Sequence, residues 1–349
     1  MRITILWSSL ASYSVAFFKE LAEIQNCQLQ LIYQRTEKET PYEQFDLEFC
    51  NEALQDSPSL KMTLERLVLD FAPNCILMSS WPFKHFMKIA KMLKKKRVFV
   101  ISCMDNQWHG TVKQWLGVLS SRWFLKQSID NFLVAGDRQA DFARKLGYDN
   151  VFYGLYAAEV NRFSSKISIA KRPKCFLFVG RLIPNKGLKN LIEAYKIYRE
   201  RSSEPWGLKI VGEGELRYLL RAVSSAEYLG FVQPAKMPLI MENASCFVLP
   251  SLWEPWGVVI HEAASAGLPI IATYTCGATT NFVRDGVNGY VIPPRAKPLV
   301  ESMLKISSCT SEELERMSQS SFIMAKLWTP RKLADYFVTS LSKVMARND

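Results

Sequence analysis

Short apolar runs alternate with amphipathic stretches along almost the whole chain. The runs are continuous rather than alternating, which is typical of parallel strands that are covered on both faces. Helical periodicity fills most of the gaps between them, as at 15–24, 188–201 and 257–266. The predicted strands are 3–7, 29–33, 75–80, 98–103, 131–135, 175–180, 208–212, 228–232, 246–250 and 269–273. Strands separated by helices predict right-handed βαβ units and a doubly wound α/β fold.

A length of 349 residues indicates two domains rather than one. Residues 157–173 have weak periodicity and stand just before the strand at 175, which predicts a linker there. We therefore expect two Rossmann-like domains, 1–158 and 159–328, followed by a final segment, 329–349. Ligands of such sheets bind beyond the carboxyl ends of the strands, so two facing domains would form a cleft.

Composition narrows the class of protein further. Apolar residues make up 48% of the chain, which excludes wholesale disorder. No run of 18 apolar residues occurs, and the amino-terminal apolar stretch is too short for a signal peptide, so we expect a cytoplasmic protein. The eight cysteines stand at least 23 residues apart, which excludes a CxxC zinc or redox motif and indicates reduced thiols.

The formal net charge of +11 is distributed unevenly. Residues 1–83 carry a net charge of −5, whereas residues 84–145 carry 13 basic and 4 acidic side chains. Such an excess fits three kinds of partner: nucleic acid, an anionic membrane surface or an anionic small substrate. The chain has no nucleic-acid recognition module or aromatic RNA-binding motif, so we rank nucleic acid last and expect no nucleic-acid partner.

Residues 84–97 hold seven of these basic side chains. Apolar positions at 86, 89, 90 and 93 share one face of a predicted helix, and lysines at 84, 88, 91 and 95 share another. One interpretation is a crossover helix with a solvated outer face. The other is a helix that rests on anionic lipid close to a lipid-linked acceptor, with nearby tryptophans as interfacial side chains.

Two basic residues follow a strand in the segment FVGRLIPNKG, residues 178–187. The strand ends at Gly180 and a helix begins near Gly187, so Arg181 and Lys186 lie in the loop between them. Cations at a helix N-terminus can bind a phosphate, although a solvated basic loop would have the same sequence. The spacing of a Walker A loop is absent.

Two glutamates stand in the segment PSLWEPWGVVIHEAASAGLP, residues 250–269. Glu254 lies in a predicted loop after a strand, and Glu262 lies inside the following helix with seven residues between them. A carboxylate among apolar neighbours needs a partner, and a pair of ligand hydroxyls would suit Glu262. The backbone amides of Gly257 and Val258 at the helix start could bind phosphate oxygens.

Taken in order, these segments resemble the GT4 family of retaining glycosyltransferases, which have the GT-B fold. The resemblance covers residues 175–294 and includes VGEGELR at 211–217, ASAGLP at 264–269 and RDGVNGYVIPP at 284–294. It implies a transferase that moves a sugar from a nucleotide-diphosphate sugar to a saccharide or a lipid-linked saccharide. Synthesis of a cell-surface polysaccharide or glycolipid, with peripheral attachment to the inner face of the membrane, is the implied setting.

The resemblance also implies roles for individual residues. Arg181 and Lys186 match the basic pair that holds the donor diphosphate, and Glu262 matches the glutamate that binds the ribose hydroxyls. Glu254 matches the glutamate beside the donor sugar. The remaining donor-binding positions are the strand-end glycines, the loop that borders the base and the helix start: Gly180, Gly212, Phe231, Val232, Gly257 and Val258. The segment from 329 would return to the first domain.

Preorganised cations stabilise the negative charge that grows on a leaving diphosphate, so no metal ion or cofactor is expected. A glycoside hydrolase uses two carboxylates that face each other across the sugar. Glu254 in a loop and Glu262 inside a helix do not fit that arrangement, which favours direct transfer. A sugar-nucleotide epimerase of the same fold is the alternative. The family often has a histidine after the fourth strand. His109 stands a few residues from that place and is a candidate catalytic residue, and a loop histidine with no role is the other interpretation. Asn281 stands where the family usually has an acidic residue.

Overall fold

The computed structural model describes residues 1–34, 45–55 and 58–346. The chain forms two compact units, one of Met1–Ala157 with Pro330–Asp349 and the other of Ala158–Thr329. Each unit contains a parallel sheet with connecting helices, so the doubly wound α/β class is confirmed.

The strands are β1 Arg2–Trp7, β2 Gln28–Tyr33, β3 Glu52–Gln55, β4 Cys75–Met78, β5 Phe99–Met104, β6 Asn131–Val134, β7 Phe152–Tyr153, β8 Cys175–Val179, β9 Gly207–Val211, β10 Ala226–Gly230, β11 Cys246–Leu249, β12 Ile270–Thr273 and β13 Gly289–Ile292. The helices are α1 Ser12–Ala22, α2 Pro58–Phe71, α3 Lys84–Lys95, α4 Val112–Lys126, α5 Asp137–Lys145, α6 Val160–Phe163, α7 Leu188–Arg201, α8 Met237–Glu242, α9 Val258–Ser265, α10 Thr279–Phe282, α11 Ala296–Ser307, α12 Ser311–Lys326 and α13 Pro330–Met345.

Strand order follows the doubly wound pattern in both units. The first sheet has the order β3-β2-β1-β4-β5-β6-β7, and the second has the order β10-β9-β8-β11-β12-β13. The order reverses between β1 and β4 in one sheet and between β8 and β11 in the other. These reversals are the topological switch points, where the loops beyond the strand ends separate and leave a crevice for a ligand.

The ten predicted strands are all present, within two residues of their predicted positions. In most of them the central residues are buried, as in β8, where Phe176, Leu177 and Phe178 have no exposed surface. The edge strand β10 is the exception, since its residues are half-buried or exposed. Strand β3 was not predicted because its sequence, EALQ, is polar and half-exposed at the sheet edge. Strand β7 has only two residues, which is too short to give a periodic pattern.

The carboxyl-terminal helix α13 packs against α1 and β7 of the first unit. The ring of Phe337 lies 6.0 Å from that of Phe17 and 5.7 Å from that of Phe152. Phe337 is fully buried, so the helix completes the core of this unit rather than lying on its surface.

Helix α3 has the two faces that its sequence predicts. Phe86, Ile89, Ala90 and Leu93 are buried, with exposed fractions of at most 1%. Lys88 forms an ion pair with a glutamate of α2 at 2.6 Å, and most of the other lysines are exposed. None of the described helices combines the length and the hydropathy that a bilayer-spanning segment requires.

Candidate functional site

The candidate site lies at the switch point of the second sheet. Strands β8 and β11 are hydrogen-bonded neighbours there. The loop after β8 carries Arg181 and Lys186, and the loop after β11 carries Glu254. Because both strands are parallel, both loops leave the same edge of the sheet. The topology thus brings together residues that are about seventy positions apart in sequence.

Backbone contacts fasten these two loops to each other. The amides of Leu252 and Trp253 donate to the carbonyl of Asn185 at 2.8 and 3.3 Å. Gly187 has the left-handed conformation, with φ +71° and ψ 22°, directly against Pro250. A Cβ atom at Gly187 would lie 1.9 Å from the Pro250 carbonyl oxygen, so only glycine allows this approach.

Lys186 forms an ion pair with Glu254 across the two loops. The Lys186 side chain is 15% exposed and that of Glu254 is 11% exposed, so the pair is largely shielded from water. Shielding strengthens the attraction and also makes each charge dependent on a nearby partner. Arg181, in the same loop as Lys186, is exposed to solvent.

The loop after β9 supports the basic loop from the other side. Gly180 donates its amide to Val211 at 3.0 Å, and Leu182 donates its amide to the Glu213 carbonyl at 2.7 Å. Gly212 donates in turn to Gly230 at the end of β10, at 2.7 Å. Three consecutive strand ends are therefore connected by backbone hydrogen bonds that fix the course of the basic loop.

The segment after β12 supports the glutamate loop. The amide of Gly277 donates to the Glu254 carbonyl at 3.2 Å, and the amide of Ala278 donates to the Trp256 carbonyl at 2.9 Å. Thr273 and Thr275 both donate their hydroxyls to the Ser251 carbonyl at 2.6 Å. The backbone around Glu254 is thus held before any ligand arrives.

Glu262 lies in α9, whose N-cap is Gly257 and whose first residue is Val258. Its side chain is half-buried, and burial raises the pKa of its carboxyl to about 7. The Arg162 guanidinium lowers that pKa and the Glu159 carboxylate raises it. Arg162 itself donates to Glu159 at 2.9 Å, so the arginine is shared between the two acids.

The raised pKa of Glu262 gives a test by pH. The pKa of Glu262 is about 7 in the folded protein and 4.5 in the unfolded protein. The ligand-free protein therefore loses stability as the pH rises from 4.5 through 7. We expect Glu262→Gln to gain about 3 kcal/mol of stability over the wild type between pH 4.5 and pH 8. Urea denaturation at both pH values measures this difference. Glu301→Gln, at an exposed position of α11, is the control, and an equal gain there would contradict the assignment.

His261, next to Glu262, was missed as a site-forming residue. It is fully buried, its Nδ1 accepts from the Ala158 amide at 2.9 Å and its Nε2 lies 3.2 Å from the Ala325 carbonyl. Burial lowers its pKa to about 4, so the ring is neutral and Nε2–H is the donor to Ala325. The ring also stacks on Phe282 at 4.0 Å. A histidine in an apolar stretch was the available signal, and the contacts show that it anchors α9.

Other predicted positions lie nearer the margin of this unit. Phe231 and Val232 are half-buried. They follow the edge strand β10, which ends at Gly230, two residues before the predicted strand end. Asn281 lies in α10, where its Oδ1 accepts from the Thr280 hydroxyl at 2.9 Å. The loop of 231–236 follows β10, which pairs with β9 in the sheet.

His109 belongs to the first unit and is exposed in the loop before α4. Its backbone amide donates to Gln114 at 2.8 Å. Asp105, closer to the carboxyl end of β5, is half-buried and accepts from the Tyr156 hydroxyl at 3.3 Å. The structure thus places an acid, rather than the histidine, directly beyond that strand end.

Residues 159–322 match the family described as Glycosyl transferases group 1. The match covers just under half of the chain, and this part of the chain is similar to that family. An uncharacterized glycosyltransferase of Methanocaldococcus jannaschii is 32% identical over 140 residues, which are 38% of this chain and 35% of that protein. The chain thus aligns with about a third of the length of this curated relative.

Solved structures are similar in fold to almost the whole chain. HepE of Anabaena, solved in complex with UDP, has a TM-score of 0.76 at 14% identity and covers 98% of this chain and 100% of its own. WaaG, a glycosyltransferase involved in lipopolysaccharide biosynthesis, has a TM-score of 0.68 at 16% identity and covers 96% and 99%. The predicted GT-B fold is confirmed.

Proposed function

We propose that the protein is a retaining glycosyltransferase that moves a hexosyl or related sugar from a nucleotide-diphosphate sugar to a saccharide or lipid-linked saccharide. The observation that carries this proposal is the shielded Lys186–Glu254 pair at the β8/β11 switch point of a group 1 domain. The HepE structure holds UDP, which supports a UDP-sugar as the first donor to test.

The second unit supplies the groups that such a donor needs. Lys186 and Arg181 bind the diphosphate, together with the amides of Gly257 and Val258 at the start of α9. Glu262 accepts hydrogen bonds from the ribose hydroxyls. The base lies against the loop that begins at Phe231 and Val232, and the strand-end glycines Gly180 and Gly212 let the backbone approach the ligand.

Cleavage of the sugar–phosphate bond transfers an electron pair to the leaving diphosphate. A fixed cation beside that oxygen stabilises the transition state more than the ground state, because the negative charge is still growing. Lys186 is held in place by Glu254 and by the loop contacts, so little reorganisation is needed. We propose that these cations take the place of a metal ion. The acceptor oxygen then bonds to the sugar carbon on the face from which the diphosphate leaves, and the hydroxyl proton passes to the leaving diphosphate.

The first unit is proposed to bind the acceptor. Asp105 and Tyr156 form a polar pair beyond the end of β5, where an acceptor hydroxyl could donate to the carboxylate. The exposed lysines of residues 84–97 are proposed to contact an anionic membrane from its cytoplasmic side. A role in synthesis of a cell-surface polysaccharide or glycolipid follows from a lipid-linked acceptor.

A thermal-shift screen against a panel of nucleotide sugars tests the donor assignment. A donor at about 100 times its Kd should add about 2.7 kcal/mol of stability, and a UDP-sugar is expected to do so. The matched nucleoside diphosphate without sugar is the control for the phosphate contacts. Stabilisation by no member of the panel would contradict the proposal, and conversion of the donor alone to an isomer would identify an epimerase instead.

A further inference from the structure

Helix α4 exposes an unusual amount of apolar surface. Trp123 is 83% exposed, Leu119 is 70% exposed and Leu116 is 62% exposed. The opposite side of the helix is packed normally, since Val118 is 6% and Leu125 is 1% exposed. The exposed large apolar side chains of this helix are Val112, Trp115, Leu116, Leu119, Trp123 and Phe124.

These side chains form a continuous stripe. Val112, Leu116, Leu119 and Trp123 are spaced by four, three and four residues, which places them in one row along the helix. The row is roughly 16 Å long at 1.5 Å per residue. A surface groove lined by Leu119, Trp123, Lys126 and Gln127 continues it at the carboxyl end.

Basic residues of α3 lie beside that end of the stripe. Lys91 donates its ammonium to the Gln127 side chain at 3.1 Å, and Lys94 donates to the Lys126 carbonyl at 2.8 Å. Lys95 and the next two residues, also basic, are exposed. The apolar stripe is therefore bordered by positive charge within the most basic stretch of the chain.

We propose that the α4 stripe inserts into the interfacial layer of an anionic bilayer while the exposed lysines of α3 contact the lipid headgroups. Helix α3 cannot insert its own apolar face, because that face is buried in the core. A second copy of the chain is a poorer occupant of the stripe, since it would bring two strongly basic surfaces together. Tryptophan at an exposed apolar face suits the membrane interface, where the indole has both apolar and polar neighbours.

This proposal rests on the proposed function and specifies which part of the first unit faces the membrane. Helix α4 begins directly after the loop of 105–111, which leaves the carboxyl end of β5. A lipid-linked saccharide in the same membrane would reach this edge of the sheet without leaving the bilayer. The stripe would thus present the acceptor end of the first unit to the surface that holds the acceptor.

Vesicle flotation of the full chain tests the insertion. Vesicles of phosphatidylcholine with phosphatidylglycerol should bind the wild type, and vesicles of phosphatidylcholine alone should bind it much less. The double variant Leu119→Ser/Trp123→Ser should lower the partition coefficient by more than about tenfold, because two exposed side chains lose their apolar transfer into lipid. The matched control is Ile323→Ser/Leu327→Ser, at residues of the second unit that are 62% and 69% exposed.

The electrostatic part is tested separately. Lys91→Gln/Lys95→Gln should weaken binding and reduce its dependence on salt, since a change from about 0.1 M to about 1 M shortens the Debye length from about 10 Å to about 3 Å. Equal binding by the Leu119→Ser/Trp123→Ser variant and the wild type would overturn the proposal. The proposal would also be overturned if sedimentation velocity showed that the wild type is a dimer and that this variant is a monomer, because the stripe would then be a dimer interface. Calorimetry of UDP binding is independent of lipid and tests the donor site, so the two proposals can fail separately.

Discussion

Lys186→Ala should lower the rate of sugar transfer by about 10²- to 10³-fold, which is the typical effect of removing one preorganised group that stabilises transition-state charge. The variant removes the cation that is proposed to lie beside the leaving diphosphate. It also leaves the Glu254 carboxylate, which is only 11% exposed, without its lysine partner and next to an anionic ligand. Both changes oppose the growing negative charge, so kcat and UDP affinity should fall together.

Initial rates with the donor found by the thermal-shift screen measure the loss, and calorimetry with UDP measures the change in affinity. Lys189→Ala is the matched control, because Lys189 is an exposed residue of the same sign only three positions later, in the first turn of α7. The control should retain most of the wild-type rate. The proposed role of Lys186 at the donor diphosphate would be wrong if the Lys186→Ala protein is folded, binds UDP normally and turns over at the wild-type rate.

Gly187→Ala should cost about 2–5 kcal/mol of the free energy of unfolding, because it combines two kinds of strain. The backbone at this residue has φ +71°, which an alanine adopts at a cost of about 1–2 kcal/mol. The new Cβ would also stand 1.9 Å from the Pro250 carbonyl oxygen, so the two loops must separate. Their separation would pull Lys186 away from Glu254 and reduce donor affinity as well as stability.

Gly286→Ala separates the two contributions. Gly286 has nearly the same backbone angle, φ +72°, but nothing lies within 4 Å of a Cβ atom built there. Gly286→Ala should therefore lower the free energy of unfolding by only about 1–2 kcal/mol, which is the cost of the left-handed conformation. Urea denaturation with equal m-values compares the two variants directly. Equal losses would mean that the close approach of the loops adds nothing to the stability of the site.

Most strands of both sheets were predictable, because parallel strands that are buried on two faces have continuous apolar runs in their sequences. Helix α7 was predicted over 188–201, which is the range that the structure shows. Strand β3 was not predictable, since its pairing with β2 rather than its sequence makes it a strand. The role of His261 was equally hidden, because its two hydrogen-bond partners come from residues 158 and 325.

For the two basic and two acidic residues of the candidate site, too, some features were predictable from the sequence and others were not. Their positions in loops after strands and inside a helix follow from local sequence, and so does their resemblance to a donor site. The ion pair of Lys186 with Glu254 depends on the adjacency of β8 and β11, which only the sheet order provides. The raised pKa of Glu262 depends on burial by neighbouring elements, which no local pattern contains.

By itself, the sequence determined the α/β class, the loops that carry charged side chains and the concentration of positive charge in residues 84–145. The tertiary structure decided which apolar surfaces are covered. Helix α3 has the clearer amphipathic pattern, yet its apolar face is buried, whereas α4 is apolar on two sides and can bury only one. The reason is physical: periodicity records how many faces of a helix are apolar, but packing against the sheet determines which of them remains exposed to solvent.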